Sequence, residues 1–223
     1  MIPRELLGTA IVPGGEVLRL FRRGGDHMIV LGHNELMNSR MSGSEEALAD
    51  MTLDRLGAQP AMRLLIGGYG MGFTLRAALA RLRDDAKVTV AELVPEIIEW
   101  ARGSMAAMTG NCLDDKRLFV DIADVGVLIG EPEAYYDAIL LDVDNGPDGL
   151  TRKANNGLYS RKGLAAAKAA LKPGGIVAIW SAAPDAAFKK ALGDAGFAVD
   201  EVAVRARQNG KGAKHIIWFA RKR

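Results

Sequence analysis

The chain has 223 residues, 49% of them hydrophobic and 25% charged, with 29 lysines and arginines against 27 aspartates and glutamates. That length supports one sizeable domain with a buried core, and a net charge of +2 gives no field that would argue for a nucleic-acid or membrane partner. A lone cysteine, Cys112, excludes an internal disulfide and a CxxC pair, and His27, His33 and His215 lack metal-ligand spacing, so no metal is expected.

The opening "MIPRELLGTA" carries charges where a signal peptide needs an apolar core. No apolar run reaches the roughly 18 residues of a membrane span. A soluble, cytoplasmic protein is the expectation. Residues 1–43 read as a small β-element, in which "GGEVLRLFRRGGDHMIVLG" sets two apolar runs around Gly24-Gly25 as a hairpin. "MSGSEEALADMTLDRLGA" follows as a helix, with Ser42 and Glu45 at capping-box spacing.

From residue 62 the pattern alternates. "RLLIG" is a short buried strand, "FTLRAALARLRDD" a helix with apolar residues on one face, "KVTVAE" a strand, and Pro95 opens a further helix. "RLFVD" and "YDAILLDVD" are strands, "RKGLAAAKAALKPGG" a helix stopped by Pro-Gly-Gly, "IVAIWSA" a strand and "APDAAFKKALGDAG" a helix. "FAVDEVAVRAR" and "AKHIIWFARK" close the chain as an antiparallel pair. Alternation of this kind predicts an α/β fold over 44–223: a doubly wound, mainly parallel, Rossmann-like sheet.

Between the first strand and its helix stands "GGYGMG". A strand that turns through glycines into a helix lets a ligand approach bare amides at the helix N-terminus. Glu92 lies 20 residues past the last of these glycines, at the end of the next strand, where a carboxylate accepts both hydroxyls of an adenosine ribose. A dinucleotide loop requires GxGxxG, whereas Gly68, Gly70 and Gly72 are spaced GxGxG, which disfavours NAD.

The whole stretch resembles the cofactor half of class I S-adenosylmethionine-dependent transferases. Within that group it is most similar to the spermidine synthase (polyamine aminopropyltransferase) family. That family's "IGGGDGG" is matched by "IGGYGMG", its "VEIDPEVIE" by "AELVPEIIE", its "GDGREFL" by "VDIADVG" and its "YDVIIVD" by "YDAILLD". The resemblance implies a cytoplasmic enzyme of polyamine biosynthesis that binds S-adenosylmethionine or its decarboxylated form, acts on a small amine and forms a homodimer. By position, Gly68, Gly70 and Gly72 become the donor's backbone cradle, Glu92 the ribose ligand, Asp121 the acceptor for the adenine amino group and Ile122 an amide beside the ring. Asp142 matches the proton-accepting aspartate, and Glu35 stands at a glutamine of the family's acceptor site. Asp144, two residues beyond Asp142 on an ending strand, is expected to point the same way and help bind substrate charge.

Departures from the family pattern concern the substrates. The family's loop aspartate, which holds the donor's amino end, is Gly70 here, "DSSDP" is shortened to "DVDNGP", and a tyrosine-histidine pair of the acceptor site becomes Ser44-Glu45. Three readings stay open: aminopropyl transfer to an amine, methyl transfer on the same scaffold, and nucleoside binding without catalysis.

Overall fold

A computed structural model of the chain describes residues 2–131, 134–143 and 156–223. Four strands open it: β1 (Glu5–Ile11), β2 (Val17–Arg23), β3 (Asp26–Leu31) and β4 (Asn34–Asn38). They form one antiparallel sheet in the order β1-β2-β3-β4, so the small element is a four-stranded meander of which the hairpin read at Gly24-Gly25 is the middle turn. The β3–β4 register slips between Ile29, opposite Met37, and Val30, opposite Glu35. Leu36 is therefore the extra residue of a bulge, which re-aims the side chains around it.

Helix α1 (Gly43–Leu56) leads into β5 (Arg63–Gly67), α2 (Phe73–Arg81), β6 (Lys87–Glu92), α3 (Pro95–Arg102), the short α4 (Ala106–Thr109), β7 (Leu118–Ile122), α5 (Val125–Gly130) and β8 (Tyr136–Leu141). The described chain resumes with α6 (Asn156–Tyr159), α7 (Arg161–Ala170), β9 (Leu171–Ser181), α8 (Ala186–Asp194), β10 (Phe197–Arg205) and β11 (Lys214–Lys222). The large sheet has the order β10-β11-β9-β8-β5-β6-β7. Strands β5 to β9 pair in parallel, and β11 runs antiparallel to both β9 and β10.

Every residue of β8 is buried, as a strand covered on both faces requires. Side-chain alternation then divides the core. Leu64, Ile66, Val88, Val90, Ala138 and Leu140 face α1, α2 and the small sheet, whereas Leu65, Ile139, Leu141 and Val177 face α5, α7 and α8. Local chemistry starts the helices: Pro95 opens α3, as the sequence suggests, and Asp124 and Asp185 cap the N-termini of α5 and α8 through the amides of Gly126 and Phe188. The chain winds from β5 outward to β6 and β7, then returns to β8 on the other side of β5. The crevice outside the carboxyl ends of β5 and β8 is thus the topological switch point, where open α/β sheets bind ligands. Among the described residues, no helix is long and apolar enough to cross a membrane.

Candidate active site

A cavity of about 190 Å³ opens at that switch point, between the large sheet and the small one. Gly68 and Gly70 line it from the β5–α2 loop. Both have positive φ, +85° and +54°, and at Gly68 the backbone of Asp142 leaves no room for a side chain. A Cβ at Gly68 would stand 2.6 Å from the Asp142 carbonyl oxygen, and one at Gly70 would stand 2.6 Å from Met37 Sδ. Gly72 has a different task. It sits at the N-cap of α2, is not part of the cavity wall, and turns the chain into the helix.

Glu92 is 5% exposed and forms part of the wall. Its Oε2 accepts from the Tyr69 amide at 2.9 Å, and its Oε1 accepts from the amides of Leu93 at 2.8 Å and Val94 at 2.9 Å. One carboxylate thus ties the glycine loop to the end of β6. Burial pushes its pKa upward, against the pull of those amides. The sequence signal that singled out Glu92 was positional, and the structure adds that the same group holds the loop's shape.

Asp142 follows β8 and reaches the cavity, and its amide donates to the Gly67 carbonyl at 3.0 Å. Its Oδ2 accepts from Thr74 Oγ1 at 2.8 Å. Desolvation raises its pKa to about 6. The neighbouring wall belongs to Glu45, in the first turn of α1. Ser42 makes no side-chain cap on α1, so the capping-box reading of Ser42 and Glu45 is corrected. Glu45 is instead 8% exposed, and its Oε2 accepts from Ser44 Oγ at 2.7 Å. Ser44 Oγ also lies 2.8 Å from His215 Nδ1 on β11, whose pKa is lowered by burial. Burial, then the charge of Asp142, pushes Glu45 up to about 8. Burial and the neighbouring negative charge thus favour the protonated form of Glu45.

The other expected residues are placed differently. Glu35 does not reach the cavity; it accepts from Asn38 Nδ2 at 3.1 Å and stands 3.9 Å from Arg4. The bulge at Leu36 explains this, because Leu36 and Met37 fill the wall while Glu35 pairs opposite Val30. Asp121 and Ile122 are exposed and outside the cavity wall. Ala123, Asp124 and Val125 line it in their stead, since the chain turns inward only after β7 ends. Asp144 lies outside the described residues. Glu45 and Asp124 line the cavity as well, and neither is among the ligand residues expected from the sequence. Asp124 had a local signal, an aspartate just before an apolar helix; Glu45 had its apparent capping role and its place, with Ser44, where the family carries a tyrosine-histidine pair of the acceptor site.

Glu45, Glu92, Asp124 and Asp142 place four carboxylates in the wall, with no lysine, arginine or histidine among its described residues. The remainder is apolar: Val12, Leu18, Ile29, Leu31 and Leu36 from the small sheet, with Trp180 beside them. Such a cavity suits a cationic ligand that carries apolar parts.

Comparison with known proteins agrees with this geometry. The spermine/spermidine synthase domain model matches residues 41–190, more than half of the chain. A polyamine aminopropyltransferase of Nitrosomonas europaea is 29% identical over 125 residues, covering 56% of this chain and 36% of that protein. One from Sulfolobus acidocaldarius is 31% identical over 115 residues, covering 51% of this chain and 37% of its own length. The chain thus matches little more than a third of the length of these curated relatives. Among solved structures, spermidine synthase from Thermotoga maritima superposes with a TM-score of 0.76 at 21% identity, covering 98% of this chain and 73% of that one. A spermidine synthase in complex with the transition state analogue AdoDATO gives a TM-score of 0.75 at 20% identity, over 98% and 72% of the two chains. These two likenesses establish the fold, which is of the class I methyltransferase type. With the fold, the glycine loop and the domain match in agreement, the chain belongs to the spermine/spermidine synthase family.

Proposed function

We propose that the protein is a transferase that binds decarboxylated S-adenosylmethionine in this cavity and moves its aminopropyl group to an amine. The observation that carries the reading is the pairing of an amide-held Glu92 at the glycine loop with Asp142 across the same cavity. Gly68 and Gly70 would let the donor's nucleoside lie against bare backbone, and Glu92 would take the ribose hydroxyls. The Asp121 and Ile122 roles suggested by family resemblance pass in this reading to the segment Ala123–Val125, which borders the cavity.

The donor supplies a carbon activated by a sulfonium: the acceptor nitrogen's lone pair forms the new C–N bond as the C–S bond breaks and its electrons return to sulfur, leaving methylthioadenosine. Asp142 would take the proton that the attacking nitrogen sheds, a contribution worth roughly 10² to 10⁴ in rate. A carboxylate whose pKa stands at about 6 is ionised at neutral pH and still basic enough to hold that proton. The walls would hold nitrogen and carbon in line, and such positioning is worth about 7–11 kcal/mol at best.

One observation favours methyl transfer as a second reading. Position 70 is a glycine, with no side chain, so a donor that keeps its carboxylate would meet no opposing acid at that point. Turnover separates the two. Incubation with decarboxylated S-adenosylmethionine and a panel of amines should release methylthioadenosine and yield an aminopropylated amine. Release of S-adenosylhomocysteine from intact S-adenosylmethionine would instead establish methyl transfer.

A further inference from the structure

The cavity's two ends differ in what their polar groups still have to offer. Glu92 gives its oxygens to three amides, and Asp124 caps the Gly126 amide at 2.7 Å. At the other end Glu45 takes the Ser44 hydroxyl and Asp142 takes the Thr74 hydroxyl. A carboxylate offers about four acceptor positions, so this pair keeps most of its capacity. Thr74 ties the two segments together: its Oγ1 is 2.8 Å from Asp142 Oδ2 and 3.2 Å from the main-chain carbonyl oxygen of Glu45, and both carboxyl groups line the one cavity.

Both carboxylates face a cavity whose described wall contains no cation. Trp180 closes the same region, 9% exposed, and its indole N–H has no hydrogen-bond partner among the described residues. Everything the small sheet adds to the wall is apolar, namely Val12, Leu18, Ile29, Leu31, Leu36 and Met37. A second ammonium group placed against that surface would lose its hydration without a partner, which is costly, whereas a hydrocarbon chain would gain by burial.

We propose that the acceptor is a monoamine on an apolar carbon chain, its ammonium group taken by Glu45 and Asp142 together and its chain packed on the small sheet, with Glu45 as the specificity-determining residue. This inference rests on the transferase reading for the nature of the reaction but not for the binding it asserts. Ser44 and His215 act as positioning residues for the Glu45 carboxylate.

Titration calorimetry of the full chain tests it, with hexylamine and hexamethylenediamine as length-matched probes, with and without saturating methylthioadenosine. Hexylamine should bind about tenfold more tightly than the diamine. Glu45→Gln should weaken hexylamine by about tenfold while methylthioadenosine affinity stays unchanged, which also reports that the variant is folded. If Glu45→Gln does not fold, Leu36→Glu supplies the second arm. Placed on the half-buried bulge, it should raise diamine affinity above that of the wild type. Equal or tighter binding of the diamine by the wild type, or hexylamine affinity unmoved in Glu45→Gln, overturns the proposal. A failure of methylthioadenosine to bind would sink the transferase reading, while the amine titrations on the free protein would still decide the role of Glu45.

Discussion

Thr74 and Asp142 meet across the switch point of the sheet: the Thr74 hydroxyl, 3% exposed at the start of α2, donates to Asp142 Oδ2 at 2.8 Å. A hydrogen bond to the charged form of an acid lowers its pKa, and here it opposes the desolvation that raises Asp142 to about 6. Replacing Thr74 by valine keeps the shape and removes that bond. The acidic limb of the pH–rate profile should move up by about one unit, with nucleoside affinity unchanged. A limb that stays in place would show that Thr74 does not tune Asp142.

Stability should depend on pH in the sense opposite to that of an ion-paired carboxylate. Glu45 and Asp142 are raised from 4.5 and 3.8 to about 8 and about 6, so between roughly pH 4 and pH 8 the folded chain binds more protons than the unfolded one. Unfolding free energy therefore falls as pH rises through that window. The groups that set Glu45 are Asp142, Glu46 and the Ser44 hydroxyl, with His215 behind Ser44. Asp115, lowered to about 2 chiefly by Arg117, loses its stabilising ionisation only below about pH 4. Urea unfolding should give a free energy lower at pH 8 than at pH 5.5 by on the order of 2 kcal/mol. Glu45→Gln should flatten most of that slope, and an unchanged slope would contradict the assignment.

Glu92→Gln should cost stability as well as binding. The new amide NH₂ would face backbone N–H groups that now donate to the carboxylate from Tyr69, Leu93 and Val94, leaving buried donors unmet at a cost of about 1–3 kcal/mol. Chemical denaturation reads this without any ligand. If stability is retained and only nucleoside affinity falls, Glu92 is a ligand residue alone.

The glycine loop admits a paired test. Gly68→Ala would put a methyl group 2.6 Å from the Asp142 carbonyl at a φ of +85°. It should lose about 1–3 kcal/mol along with nucleoside binding. Gly193 lies within α8 with open space where a Cβ would go, so Gly193→Ala should gain about 0.5–1 kcal/mol and leave binding intact. Equal thermal shifts for the two variants would remove the case for a strained cradle.

The parallel sheet was legible because its strands are short apolar runs set between helices with local start signals, such as Pro95 and the Asp185 cap. Glu92 was legible because its position depends only on one strand-helix-strand unit. Glu45 was legible only as a departure from the family's acceptor-site pair: its local sequence fits a capping box, and its actual setting depends on Asp142 just after β8, Thr74 from α2 and His215 from β11. The bulge at Leu36 that turns Glu35 away comes from register between two strands, which residue spacing does not encode. Asp121 matched the family pattern by alignment, yet β7 runs to Ile122, and only the following turn brings a carboxylate, Asp124, to the cavity.

The central claim is that an adenosyl sulfonium binds against Gly68, Gly70 and Glu92. Isothermal titration of the purified chain with decarboxylated S-adenosylmethionine, S-adenosylmethionine, methylthioadenosine and NAD tests it most directly, with Glu92→Ala and Asp142→Asn alongside. The decarboxylated donor and methylthioadenosine should bind, both should be lost in Glu92→Ala and retained in Asp142→Asn, and NAD should not bind. Absence of binding by every adenosyl sulfur compound, or binding indifferent to Glu92→Ala, would contradict it.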